Sequence, residues 1–387
     1  MKPNLHIMHD VNQSNWYVEK CIFYAPESDD TFLGFGNPTN NLIHPRFTLS
    51  DISDETFDRW AEKINRGDYR QVIINYFDKY AAELVNRIQR KDVAIVWVIW
   101  GADLYSLPFF WNKLYDGFAA ELYQVSWFNQ MRKMYRHWKN RVRWGAKDHR
   151  YFYSAMRKVT HGATLVERDV ALVRKFLSGK VVQIPLSFSG IEDFASAPDL
   201  PKNTTIQIGN SGDPSNNHIE MLRLLRSMQI ENQVFMPIAY GSRKYLDVMP
   251  EVAYTIFDTT QLELQTTMVS KQVYFERLSS TGFAVMGHLR QQAFANLIAL
   301  FYFGTKVFLR EANPLLKTFR SWGLHVFSVE HDLSAEALAL TLPAEEQKKN
   351  RSIIQERLNE DAMRGYYRNL LLGSRDESGK IHWENRL

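Results

Sequence analysis

The chain predicts an α/β protein of two doubly wound, Rossmann-like domains, and three observations carry that prediction. At 387 residues, 45% of them apolar, it exceeds what one hydrophobic core usually holds. Short apolar runs alternate with helix-like stretches in two separate blocks, the signature of strands joined by crossover helices. Between the blocks lies "IPLSFSGIEDFASAPDLPKNTT", rich in Pro and Ser, which predicts an interdomain linker within 180–205.

In the first block, strands are expected at 5–8, 20–24, 72–77 and 93–100, with a helix over "DKYAAELVNRIQRK" between the last two. The second block predicts strand 204–208, helix 216–229, strand 233–238, helix 243–249, strand 252–257, helix 262–275, strand 282–286, helix 290–303 and strands 306–309 and 324–328. The closing stretch 344–372 reads as amphipathic helix able to pack back on the first domain. The expected organisation is therefore 1–190, with a basic aromatic insertion near 125–158, then 200–343, then a helical segment 344–387.

The single cysteine, Cys21, excludes an intramolecular disulfide and multi-cysteine metal sites and fits a reducing, cytoplasmic setting. "MKPNLHIMHD" lacks the apolar core of a signal peptide, and runs such as "VAIVWVIW" are too short to span a bilayer. The net charge is only +4, yet 131–158 holds ten Lys/Arg against one acid, Asp148, so the rest of the chain is net acidic. Local charge implies a local partner. Trp127, Met131, Met134, Tyr135, Trp138 and Val142 recur at spacings of three and four, while Arg132, Lys133, Arg136 and Lys139 lie mostly off that face. Such a helix either packs on the first domain or docks on an anionic membrane surface.

In open α/β sheets, ligands bind beyond the carboxyl ends of the strands. After strand 93–100 comes "GADLYSLPFFW", where Asp103 among aromatics is a candidate general base or else a helix cap. After strand 204–208 comes "GNSGDPSNNHIE", a turn with almost nothing to fill a core. Its glycines, Gly209 and Gly212, and the helix start beyond suit an anion, and Asn210, Ser211, Ser215 and Asn216 add side-chain donors. His218, in the first helical turn, is a further candidate for phosphate. In "HLRQQAFAN", Gln292 and Asn296 share a helical face, with Arg290 and Gln291 near the helix start. Glu311 and Asn313 follow strand 306–309, and Glu311 is placed to accept from sugar or ribose hydroxyls. The chain has no Walker A loop, no G-x-G-x-x-G, no D-x-D, H-E-x-x-H or cysteine-ligand spacing, and no G-x-S-x-G elbow, so no dedicated metal or cofactor is expected.

In this order, "IWGADLY", "IGNSGDPSNNHIE", "RQQ" before an apolar helix and "REANP" resemble the TDP-N-acetylfucosamine:lipid II N-acetylfucosaminyltransferase family. The resemblance covers roughly 70–330 and is strongest at 97–105 and 206–220. It implies a GT-B fold of two Rossmann-like domains facing a cleft. It also implies metal-independent, inverting transfer of a sugar from a nucleotide diphosphate to a polyprenyl-diphosphate-linked glycan at the inner membrane face. Gly209 to Gly212 then correspond to the loop receiving the donor diphosphate, and Arg290, Gln291 and Gln292 to donor-site residues, with Asp103 on the acceptor side. Two other readings remain open: a GT-B enzyme with another nucleotide sugar and acceptor, and a nucleic-acid-binding protein using the basic aromatic segment.

Overall fold

The computed structural model describes residues 2–9, 13–36, 44–107, 110, 114–123, 149–375 and 381–382. The chain divides into two compact units. The first comprises Met1–Leu104, Met131–Phe188 and Asp361–Leu387, and the second Tyr105–Gln130 and Ser189–Glu360.

The first unit is a seven-stranded parallel sheet of β1 (Asn4–Met8), β2 (Asp30–Phe35), β3 (Phe47–Ser50), β4 (Gln71–Asn75), β5 (Ala94–Val98), β6 (His161–Ala163) and β7 (Val182–Ile184). Their order is β3-β2-β1-β4-β5-β6-β7. Strands β1 and β4 are buried along their whole length, as a sheet covered by helices on both faces requires. Two polar side chains in them serve as anchors. Gln71 Nε2 donates to the Leu370 carbonyl and Asn4 Nδ2 to the Leu371 carbonyl, each at 3.0 Å, which ties the helix Glu360–Leu372 to this sheet. Tyr367 of that helix packs against Tyr17 and Tyr24.

The second unit is a six-stranded parallel sheet of β8 (Ile206–Ile208), β9 (Val234–Pro237), β10 (Leu262–Gln265), β11 (Phe283–Met286), β12 (Lys306–Leu309) and β13 (Phe327–Ser328), in the order β10-β9-β8-β11-β12-β13. In both sheets the order grows outward in one direction from the first strand and then reverses. The reversal lies between β1 and β4 in one sheet and between β8 and β11 in the other. Neighbouring loops leave the sheet in opposite directions there and open a crevice for a ligand.

Several expected elements change type. Residues 20–24 belong to the helix Gln13–Tyr24, not to a strand. Tyr17, Val18, Cys21 and Tyr24 are buried at helical spacing, which the apolar run "CIFY" conceals. Residues 252–257 lie mostly in the helix Met249–Ile256, which Pro250 opens, with Met249, Ala253 and Phe257 buried every fourth residue. The stretch read as helix 262–275 divides into β10 and the helix Lys271–Ser280, where Ser270 accepts the Val273 N–H as a cap. Within 180–205, Val182–Ile184 pairs with β6 as a strand of the first sheet. Residues 131–148 lie outside the described residues, and with them Arg132, Lys133, Arg136, Trp138 and Lys139. Among the described residues no helix is long and apolar enough to cross a membrane.

Candidate functional site

At the strand-order reversal of the second unit, the loop after β8 meets the loop after β11. Gly209 takes the left-handed conformation (φ +65°), and a Cβ there would lie 2.5 Å from Asn216 Oδ1 and 2.7 Å from His218 Nε2. Only glycine lets the chain turn this close to its own helix start. Asn216 is wholly buried and acts as the loop's central bracket. Its Oδ1 accepts from the Asn210 N–H at 2.9 Å and from His288 Nε2 at 2.7 Å, and its Nδ2 donates to the Asp213 carbonyl at 2.9 Å and to Ser211 Oγ at 3.3 Å. The Gly212 N–H is taken by the Tyr240 carbonyl. Two amides of this glycine-containing loop, those of Asn210 and Gly212, are therefore spent inside the protein and do not form the open nest its composition suggested.

The group left to receive an anion is Arg290. It sits in the loop after β11, partly exposed, with Nη2 3.4 Å from Ser215 Oγ and Nη1 donating to the Gln291 carbonyl at 3.1 Å. Among the described residues no carboxylate pairs with it. Ser215 Oγ donates to Asp213 Oδ1 and stands beside the Gln292 amide, whose Nε2 reaches towards Asn210 Oδ1 at 3.5 Å. Ser215, Asn210, Gln292 and Arg290 thus form one contiguous polar surface.

Two buried imidazoles back that surface, and both are neutral. Burial holds the His218 pKa down at about 3 despite Asp213, and its Nδ1 lies 3.2 Å from Tyr245 Oη. Burial, then the charges of Arg290 and His218, holds His288 well below the ordinary histidine range. His288 Nε2 faces two amide oxygens, Asn216 Oδ1 and Asn210 Oδ1, so Nε2 carries the proton. Neutral histidines leave Arg290 as the cation of this edge.

The remaining expected residues fall in different places. Arg290, Gln291 and Gln292 precede the helix Phe294–Phe303; its cap, Ala293, is left-handed (φ +61°), so the expected helical face of Gln292 and Asn296 does not form. Asn296 Oδ1 instead accepts from Tyr274 Oη. Gln291 is buried, with its Oε1 lacking a hydrogen bond. Asn313 is buried and caps the helix Pro314–Ser321 through the Leu315 N–H at 3.0 Å, while its Nδ2 lacks a hydrogen bond. Glu311 lies 3.7 Å from Arg320, and its own N–H donates to Glu330. His288, Asp213 and Tyr245 complete the site without having been singled out. The continuous buried apolar run of β11, carried on through Gly287 into His288, is the signal that could have marked His288.

In the first unit, Asp103 opens the short helix Ala102–Tyr105 after β5. It is 1% exposed. Its Oδ2 accepts from Trp97 Nε1 at 2.7 Å and from the Phe77 N–H at 3.3 Å, and its Oδ1 from the Leu104 N–H at 3.0 Å. Burial raises its pKa to about 6, against the lowering by those hydrogen bonds. The carboxylate ties β5 to the loop after β4, the arrangement of an internal brace.

With this geometry in place, the chain's likenesses are informative. Residues 178–351 match the family described as 4-alpha-L-fucosyltransferase, glycosyl transferase group 56. Among solved structures, the fold resembles sucrose-phosphate synthase from Thermosynechococcus elongatus at 13% identity and TM-score 0.59, over 94% of this chain and 96% of that one. It resembles Anabaena HepE in complex with UDP and glucose at 8% identity and TM-score 0.63, over 94% and 97%. An alpha,alpha-trehalose 6-phosphate synthase from Burkholderia multivorans is similar at 10% identity and TM-score 0.58, over 96% and 95%. Two parallel-sheet Rossmann-like units with these likenesses define a glycosyltransferase of the GT-B type. Within that class, residues 178–351, which hold the whole sheet of the second unit, are similar to the fucosyltransferase-like family.

Proposed function

We propose that this glycosyltransferase moves an N-acetylfucosamine-type sugar from a TDP-sugar to a polyprenyl-diphosphate-linked glycan, inverting the anomeric centre and needing no metal. The observation that carries the reading is Arg290. It is a partly exposed guanidinium without a carboxylate partner among the described residues, set at the β8/β11 reversal beside Ser215 and Asn210. A guanidinium binds a diphosphate through charge-assisted hydrogen bonds and stabilises the negative charge that grows as the sugar leaves. In that role it replaces a divalent cation. The family match and the motif order support the donor class, and HepE, of similar fold, is known in complex with UDP and glucose.

A lipid-linked acceptor brings the enzyme to the inner face of the cytoplasmic membrane as a peripheral protein. The ten cations of 131–158 favour an anionic surface by about 1 kcal/mol for each that comes near it. Sedimentation with anionic liposomes that is lost at high salt supports this docking; absence of binding at low salt contradicts it.

The donor reading is tested by thermal shift with TDP, UDP, GDP and ADP in the presence of EDTA. TDP should give the largest shift in the unmodified protein and a much smaller one in Arg290→Ala. Equal shifts in the two proteins would place the diphosphate elsewhere.

A further inference from the structure

We propose that His9 is the general base for the acceptor hydroxyl, with Asp78 as its positioning residue, an assignment that rests on the inverting transfer proposed above. The strand order directs attention to this place. The first sheet reverses between β1 and β4, and His9 immediately follows β1 while Asp78 comes three residues after β4. Although 69 residues apart in sequence, they meet with His9 Nδ1 2.6 Å from Asp78 Oδ2.

Each partner is held from outside the pair. Asp78 is the N-cap of the helix Lys79–Arg87, its Oδ1 accepting the Tyr80 N–H at 2.9 Å and the Ala81 N–H at 2.8 Å, so its other oxygen is aimed at the imidazole. The His9 ring stacks on Tyr76, with centroids 4.6 Å apart and planes 11° from parallel. Tyr76 itself has φ +76°, a conformation that a bulky L-residue adopts only where its surroundings impose it and that concentrates at functional sites. Ser14 Oγ donates to the His9 carbonyl at 2.5 Å and fixes the backbone.

The chemistry follows from the tautomer. A carboxylate accepting from Nδ1 keeps the proton on Nδ1 of the neutral ring and puts the basic lone pair on Nε2. The His9 side chain is 29% exposed and Asp78 12%, so the imidazole meets solvent or substrate while the carboxylate is sheltered behind it. In the transfer, the acceptor O–H gives its proton to His9 Nε2 as the oxygen forms a bond to the sugar C1. The bond from C1 to the diphosphate oxygen breaks, and the nucleoside diphosphate leaves with the electron pair. Asp78 stabilises the imidazolium until it returns the proton to water. Asp103, one strand further along the edge and 1% exposed, has no comparable opening.

The test measures turnover in His9→Gln, His9→Ala and Asp78→Asn with the nucleotide sugar and lipid-linked acceptor that the unmodified enzyme uses. We expect kcat to fall by about 10²–10⁴-fold with donor KM and the TDP thermal shift unchanged. Asp78→Asn keeps an oxygen for the helix cap but presents an amide donor to Nδ1, which moves the proton to Nε2 and removes the base. Added imidazole should restore part of the rate in His9→Ala. Normal turnover in folded His9→Gln overturns the assignment. So does a rate loss that imidazole leaves untouched and that comes with a lost thermal shift, or retained anomeric configuration in the product of the unmodified enzyme. The thermal shift reads the second unit and the variants' kcat reads His9, so failure of the donor reading and failure of this one are separable.

Discussion

At the β1/β4 edge of the first sheet, a partly exposed imidazole is gripped by a carboxylate. At the β8/β11 edge of the second, two imidazoles are buried and neutral, and the accessible charge is a guanidinium. The same residue type does different work because burial and partner differ. In the reading proposed above, the first edge takes a proton and the second takes an anion. A parallel contrast exists inside the first unit. Asp78 and Asp103 both accept backbone N–H bonds beyond a strand end, yet Asp78 keeps one oxygen for a histidine while Asp103 turns inward to Trp97.

The largest expected effect separates those two carboxylates. Asp78→Asn should lower kcat by about 10²–10⁴-fold while leaving the melting temperature close to that of the unmodified enzyme. Asp103→Asn should do the reverse, leaving turnover per folded molecule little changed. If Asp103→Asn instead removes turnover in a folded protein, the contrast is drawn the wrong way round.

Next in size is Arg290→Ala, which should weaken TDP binding by about 1.5–3 kcal/mol, the usual value of hydrogen bonds to a charged group. Calorimetric titration reads it, and no change in affinity would remove Arg290 from the donor site. Asp103→Ala should follow, destabilising the first unit by about 1–3 kcal/mol because the Trp97 indole and the Phe77 amide lose their acceptor in the interior. Urea unfolding measures it.

The smallest effect is the response to acid, and its sign should differ between the units. His218 is held at about 3 when folded, against about 6.5 when unfolded, so its contribution to stability is present above pH 6.5 and is lost as pH falls towards 3. Asp103 is raised to about 6, against about 3.9 unfolded, so its contribution is present below pH 3.9 and is lost as pH rises through 6. Each changes stability by about 1.4 kcal/mol per pH unit within its window. Hydrogen exchange compared at pH 7 and pH 5, after correction for intrinsic rates, should therefore show protection falling around 209–218 and not around 97–104.

Most of the strands were legible because a parallel sheet buried on both faces writes itself as short apolar runs, as β1, β4, β5, β8 and β11 do. The failures at 20–24 and 252–257 are short apolar stretches in which helix and strand periods cannot be told apart, whereas at 262–275 a strand and the helix capped by Ser270 were merged into one element. The loop after β8 was conspicuous for its small polar residues, but sequence does not carry burial. Asn216, His218 and Asn313 therefore looked like exposed ligand contacts, and the structure buries all three. His9 was within reach of the rule applied to Asp103, since it too stands at a strand's carboxyl end. Its partner, 69 residues away and brought beside it by the pairing of β1 with β4, was not.

In the proposed reading, the second unit receives a nucleoside diphosphate at Arg290 and the loop after β8. Isothermal titration of TDP into the unmodified enzyme and into Arg290→Ala, both in EDTA, tests it most directly. Saturable one-to-one binding to the unmodified enzyme is expected, with a dissociation constant about 10–150-fold higher for the variant, the equivalent of 1.5–3 kcal/mol. Equal dissociation constants for the two proteins, or binding to the unmodified enzyme only when a divalent cation is supplied, would contradict it.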